Sequence, residues 1–147
     1  MKEIKFYHEY EDYGFLSNYY LVNIIIDNIT YKSVEHYYQS QKTLENDWAE
    51  RIINSKTCAE AKALGNSPNI ILRIDWDTWK LTAMRRGLRA KFSQHNELQR
   101  QLLETKSAIL MENSMDDYYW GIGIKGTGKN MLGKLLMELR DDIIAVQ

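Results

Sequence analysis
The chain has 147 residues, 44% hydrophobic and 27% charged, with 19 basic against 20 acidic side chains and a net charge of −1. That length and composition fit a single packed domain, 1–147. The near-neutral charge speaks against a protein that grips a long nucleic acid by its phosphates, although a small phosphorylated ligand needs only a few local cations. A single cysteine, Cys58, excludes an internal disulfide. No apolar run reaches membrane-spanning length, and the polar, aromatic N-terminus (MKEIKFYHEYEDYG) has no apolar leader core. The expected setting is a reducing cytoplasm, without membrane contact.

Taken in chain order, DYGFLSNYY (12–20) reads as a loop. LVNIIIDNITY (21–31) reads as a β-hairpin, because Asp27-Asn28 is a turn signal between two β-branched runs. Ser33 is placed to cap a helix, SVEHYYQSQKTL. A second helix is expected near LENDWAERIINS. Thr57 and Glu60 form a capping box for a third, which Gly65 stops. Pro68 falls in a loop. Leu81, Met84, Leu88 and Phe92 recur at helical spacing over 77–92, a short helix follows at 96–104, and 108–112 suits a strand. Leu132, Leu135, Leu136, Leu139 and Ile143 mark the apolar stripe of a last helix. The fold class is α+β: mostly helical, with a small sheet or hairpin.

GIKGTGKN (123–130) approaches the phosphate loop G-x-x-x-x-G-K-[ST]. Asn130 stands where a magnesium-binding hydroxyl is needed. The preceding MDDYYWG is no buried strand, and the seventeen residues that follow leave no room for a parallel sheet. A nucleoside triphosphatase is excluded. What remains is a glycine-rich loop entering a helix, which would offer N–H groups and Lys129 to an anion, or else a plain loop with Asn130 as cap.

Glu35 falls in the first helical turn, where the dipole favours a carboxylate. Gln39 and Lys42 share its face at i+4 and i+7. Asp117 and Trp120 pair an acid with an indole, a combination suited to a flat polar ring. Asn18 lies among aromatics. RRGLRAK (85–91) reads as the wet face of its helix. His8, His36 and His95 lack metal-ligand spacing, so no metal and no cofactor is expected.

YGFLSNYY, SVEHYYQSQK, EAKALG, MRRGLRAKF and DYYWGIGIKGTGKNMLGKLLMELR occur here in the order found in the NADAR, or YbiA-like, family, which the chain resembles from about Phe6 to Arg140. The resemblance implies hydrolysis of an N-glycosidic bond between a (phospho)ribosyl group and a nitrogenous ring. The implied substrates are the ribosylamino-pyrimidine phosphates of the riboflavin pathway. Two alternatives go with the family: removal of ADP-ribose from guanine in nucleic acid, and non-catalytic binding of NAD or ADP-ribose. The resemblance makes Glu35 the main catalytic carboxylate; the residues themselves add Asp117 as a candidate proton donor to the leaving ring and Lys42 as an amine that could form a Schiff base. Tyr13, Asn18, Gln39, Trp120, Gly121, Lys129 and Asn130 would line the substrate site. Ile122 stands where riboflavin-pathway members carry an acidic residue.

Overall fold
The computed structural model describes residues 2–147. The strands are β1 (Glu3–Phe6), β2 (Ile24–Ile26), β3 (Ile29–Tyr31) and β4 (Ile109–Glu112). The helices are α1 (Val34–Ser40), α2 (Asn46–Asn54), α3 (Cys58–Gly65), α4 (Trp76–Gln94), α5 (Asn96–Glu104) and α6 (Met131–Ala145). The chain is thus α+β, as its pattern predicts. It divides into two compact units, one from residues 21–91 and one from the N-terminal twenty residues with 92–147.

The 21–91 unit opens with the expected hairpin. Asp27 and Asn28 have φ of 52° and 67°, the left-handed pair that a tight two-residue turn requires, and β2 pairs antiparallel with β3. Ser33 Oγ accepts from the His36 N–H at 3.1 Å and so caps α1. Thr57 does the same for α3, accepting from Glu60 N at 3.1 Å. Val34, Tyr37, Ile52, Ala61, Ala83, Met84 and Leu88 are buried here. One expectation needs correction. Helix α1 ends at Ser40 with Gln41 as its C-cap, so Lys42 lies past the helix and not on its face. The Lys42 N–H turns back to the Gln39 carbonyl at 3.2 Å, and its own carbonyl accepts from Arg73 N at 2.7 Å. Helix α3 ends at Gly65 as expected, though without a left-handed turn: the cap is Asn66 at φ −101°.

A polar network lies inside this unit. Ser33 Oγ meets His36 Nδ1 at 2.7 Å, His36 Nε2 meets the Ser55 carbonyl at 3.1 Å, and Cys58 Sγ donates to Ser33 Oγ at 3.2 Å. Burial lowers the His36 pKa. RRGLRAK is not simply a wet face: Lys91 is completely buried, and burial pushes its pKa down to about 7 despite the opposing influence of Cys58.

The other unit is built around a parallel pair that local pattern does not announce, β1 beside β4, with Glu3 opposite Ile109 and Phe6 opposite Glu112. The pairing joins the start of the chain to its last third, and each strand has only four residues. Residues 12–20 contain a short 3-10 turn, Gly14–Leu16, that buries Phe15 and Leu16. Helix α6 lies on β4 with Leu132, Leu135, Leu136 and Leu139 buried, and Arg140 donates to Thr105 Oγ1 at 2.8 Å. Among the described residues no helix is long and apolar enough to cross a membrane, and no cluster of His, Cys, Asp or Glu could hold a metal ion.

Candidate functional site
Three of the residues singled out come together in the 21–91 unit. Glu35 sits in the first turn of α1 and is 7% exposed. Gln39, one turn on, donates from Nε2 to Glu35 Oε2 at 2.8 Å. Lys42, also buried, donates from Nζ to Asn66 Oδ1 at 2.8 Å and reaches the Gly65 carbonyl at 3.4 Å. Its ammonium lies 5.8 Å from the centre of the Tyr38 ring. Burial lowers the Lys42 pKa; Glu35 works in the other direction and Lys62 adds to the lowering. A buried carboxylate and a buried amine that feel each other's charge are uncommon outside working sites.

Local sequence explains this arrangement. Ser33 fixes where α1 begins, so Glu35 falls among the free N–H groups that favour negative charge. The i, i+4 spacing sets Gln39 beside it. The end of α3 supplies carbonyl and side-chain oxygens that suit an ammonium. The sequence reading missed Asn66. The signal was faint: an Asn directly after the helix-ending Gly65, in a segment read only as a loop.

A second group lies in the other unit, on residues 112–130. Asp117 Oδ1 accepts from Tyr119 N at 3.0 Å and Trp120 N at 2.8 Å, so it ties the loop that presents the half-buried Trp120. Tyr119 packs edge-on against Trp120, with ring centres 4.8 Å apart. Gly121 is buried and its carbonyl accepts from Asn130 N at 3.0 Å. Ile122 is also buried, with its N–H on the Glu112 carbonyl.

The anion cradle read into 123–130 is not there in the form expected. Gly126 N donates to the Gly123 carbonyl, Gly128 N to Ile122, Lys129 N to Tyr118 and Asn130 N to Gly121. Met131 N and Leu132 N, at the start of α6, donate to Tyr119 and Trp120. Most of the loop's N–H groups are therefore taken up by carbonyls of residues 115–123. Nor does Asn130 cap α6 with its side chain. It stands at φ 54°, and its amide bridges β4, Oδ1 accepting from Glu112 N at 2.9 Å and Nδ2 donating to the Leu110 carbonyl at 2.8 Å. Gly133 is required there, since a Cβ would fall 2.1 Å from the Leu110 carbonyl and 2.4 Å from Asn130 Nδ2. Lys129 is exposed, its ammonium 5.7 Å from the Tyr119 ring centre.

Tyr13 lines a cavity of about 680 Å³ together with Lys2, Asp12, Phe15, Thr105 and Ser107, and none of Asp117, Trp120, Lys129 or Asn130 lines it. Asn18 is buried, two residues past the 3-10 turn.

Comparison with known proteins agrees with the motifs. The NADAR domain matches residues 5–144. The chain belongs to the NADAR family. Among NADAR relatives, N-glycosidase YbiA of Escherichia coli (strain K12) is 43% identical over 140 residues, covering 95% of this chain and 88% of that protein. A riboflavin biosynthesis protein of Vibrio vulnificus (strain YJ016) is 36% identical over 95% of this chain, which spans 38% of that longer protein. The NMR structure of E. coli YbiA superposes with a TM-score of 0.91 at 42% identity, covering 98% of this chain and 86% of that one. The α+β architecture is thus that of a solved NADAR relative.

Proposed function
We propose that this chain is an N-glycosidase that hydrolyses the bond between a phosphoribosyl group and the amino-pyrimidine of a riboflavin-pathway intermediate, with Glu35 as the catalytic carboxylate. The observation that carries the reading is the buried Glu35, oriented by Gln39 at 2.8 Å, in electrostatic contact with a buried Lys42. The enzyme class is supported by relatives named N-glycosidases at 43% identity, and the substrate class by a relative named for riboflavin biosynthesis.

The chemistry follows from charge. Breaking a C1′–N bond builds positive charge on the ribose ring, which a fixed carboxylate stabilises. The same carboxylate takes a proton from the attacking water. Glu35 begins a helix and accepts a hydrogen bond from Gln39, both of which suit a negative group. Lys42 offers a second route to the same products: its amine, made easier to deprotonate by burial, attacks C1′. The C1′–N bond breaks and the amino-pyrimidine leaves with a proton, the ribose ring opens to a Schiff base, and water hydrolyses that to free the sugar and restore the amine.

The test is a mass-spectrometric hydrolysis assay on wild type and Glu35→Gln. One substrate is the ribosylamino-pyrimidine phosphate, the other DNA bearing ADP-ribosylated guanine. Release of ribose 5-phosphate, lost in the variant, is the expected result. Release of ADP-ribose from DNA alone would transfer the activity to nucleic-acid repair. Borohydride trapping separates the routes: a covalent adduct at Lys42 assigns the amine as nucleophile, and no adduct assigns water.

A further inference from the structure
Gly65 has no backbone reason to be glycine. It is the last residue of α3, and its φ is not in the left-handed region. A helical glycine is less stable than alanine, because it loses more freedom on folding and contributes no side chain. Something other than chain geometry must occupy the place of its side chain.

That occupant is Gln39. A Cβ on Gly65 would lie 1.9 Å from Gln39 Oε1, 2.8 Å from its Cδ and 3.1 Å from its Cβ. The Gln39 amide is therefore laid against the bare Cα of Gly65. Its Oε1 is closed off from water and has no hydrogen-bond partner among the described residues, although a buried acceptor normally finds one. An amide held this way has one productive end left, Nε2, and that end is on Glu35 at 2.8 Å. The Gly65 carbonyl and its neighbour Asn66 meanwhile receive Lys42. One turn of α3 thus bears on both the carboxylate and the amine.

We infer that Gly65 is a positioning residue: its missing side chain forms the slot that seats the Gln39 amide with Nε2 toward Glu35, and so fixes the direction of that carboxylate. The inference rests on the reading of Glu35 as the catalytic group. Any side chain at 65 must push Gln39 out of the slot, since Oε1 and Cδ are both in the way. Glu35 then loses its orienting donor while its own chemistry is untouched.

The experiment is a cycle of Gly65→Ala, Gln39→Ala and the double variant, with kcat, KM and Tm for each and crystal structures of wild type and Gly65→Ala. Misplacing a catalytic group by about 1 Å can cost about 10²-fold in rate. The expected result is a kcat about 10- to 100-fold lower in Gly65→Ala with KM changed less than about 3-fold. Tm should fall by no more than about 5 °C, since mainly the far end of the Gln39 side chain has to move. In the Gln39→Ala background, where the slot is empty, adding Gly65→Ala should cost nothing further. The Gly65→Ala crystal structure should show Nε2 displaced from Glu35. Wild-type kcat in Gly65→Ala, or an equal loss in both backgrounds, overturns the inference and leaves the N-glycosidase reading standing. Full turnover by Glu35→Gln overturns the catalytic reading, and the positioning role with it. Should the wild type cleave neither substrate, the crystal structures still decide: Gln39 unmoved in Gly65→Ala would refute the slot.

Discussion
The two groups of polar residues differ in what their side chains bond to. In the 21–91 unit, Gln39 bonds Glu35 and Lys42 bonds Asn66, side chain to side chain; Glu35, Gln39 and Lys42 are buried, Asn66 is exposed, and Lys42 also reaches the Gly65 carbonyl. On 112–130, Asp117 and Asn130 bond main-chain N–H and carbonyl groups. A side chain whose polar atoms replace missing backbone partners is part of the fold's hydrogen-bond accounting. A carboxylate and an amine held by other side chains, and coupled through charge, are suited to chemistry. On the function proposed above, residues of the same type, singled out by the same motifs, divide into a set placed for reaction and a set that ties the backbone.

The sharpest way to break this comparison is to remove charge from the reacting set and shape from the scaffolding set. Glu35→Gln keeps the size of the side chain and should lower kcat by about 10² or more, with the melting temperature close to wild type. A large loss of stability in that variant would place Glu35 with the scaffold.

Asn130→Ala should do the opposite. It removes the acceptor for Glu112 N and the donor to the Leu110 carbonyl, and leaves a non-glycine residue at φ 54° without the local bonding that Asn provides. Unmet buried backbone groups cost about 1–3 kcal/mol each. At roughly 2–4 °C per kcal/mol, thermal melts should fall by about 5–15 °C. Asn130→Asp still accepts from Glu112 N but sets a buried carboxylate oxygen against the Leu110 carbonyl, so it should fall at least as far as the alanine variant.

The buried lysines sharpen the comparison through pH. Lys91 has its pKa pushed down to about 7 from an ordinary value near 10.5. Between those values the unfolded chain holds the extra proton, so stability rises with pH from about 7 to about 10. Below pH 7 both states are charged, and the Lys91 penalty is constant. Tyr37, pushed up to about 12, acts in the opposite sense and only above pH 10. Urea melts across pH 7–10 should therefore show stability climbing by about 1 kcal/mol or more per pH unit, and Lys91→Met should flatten most of that slope. An unchanged slope would mean that Lys91 is already charged when folded.

What the sequence disclosed follows the range of the interactions. The hairpin turn at Asp27-Asn28, the Ser33 and Thr57 caps and the α6 stripe are set by neighbours within a few residues, and all were legible. The β1–β4 pair was not, because four residues carry little pattern and the partner strand lies far along the chain. The site divides the same way. Glu35 and Gln39 could be placed side by side from helical spacing alone. Helical spacing brings Lys42 to the right neighbourhood for the wrong reason, since α1 ends before it and a turn brings it back. The glycine loop misled, because a motif shows which residues have donors but not which carbonyls will claim them.

Asp117 gives the smallest and finest test. Its Oδ1 serves Tyr119 N and Trp120 N, and the side chain is only partly buried. Asp117→Ala removes the acceptor from both and should lower stability by about 1 kcal/mol, or roughly 2–4 °C. Asp117→Asn keeps an oxygen in the same place, so its melt should stay within about 1 °C of wild type. The pair separates two roles the residue could hold. Once Asp117→Asn is shown to fold as the wild type does, turnover it retains makes Asp117 a loop tie. Turnover it loses must come from the proton or charge that an amide cannot supply, and Asp117 would then move from the scaffolding set to the reacting one.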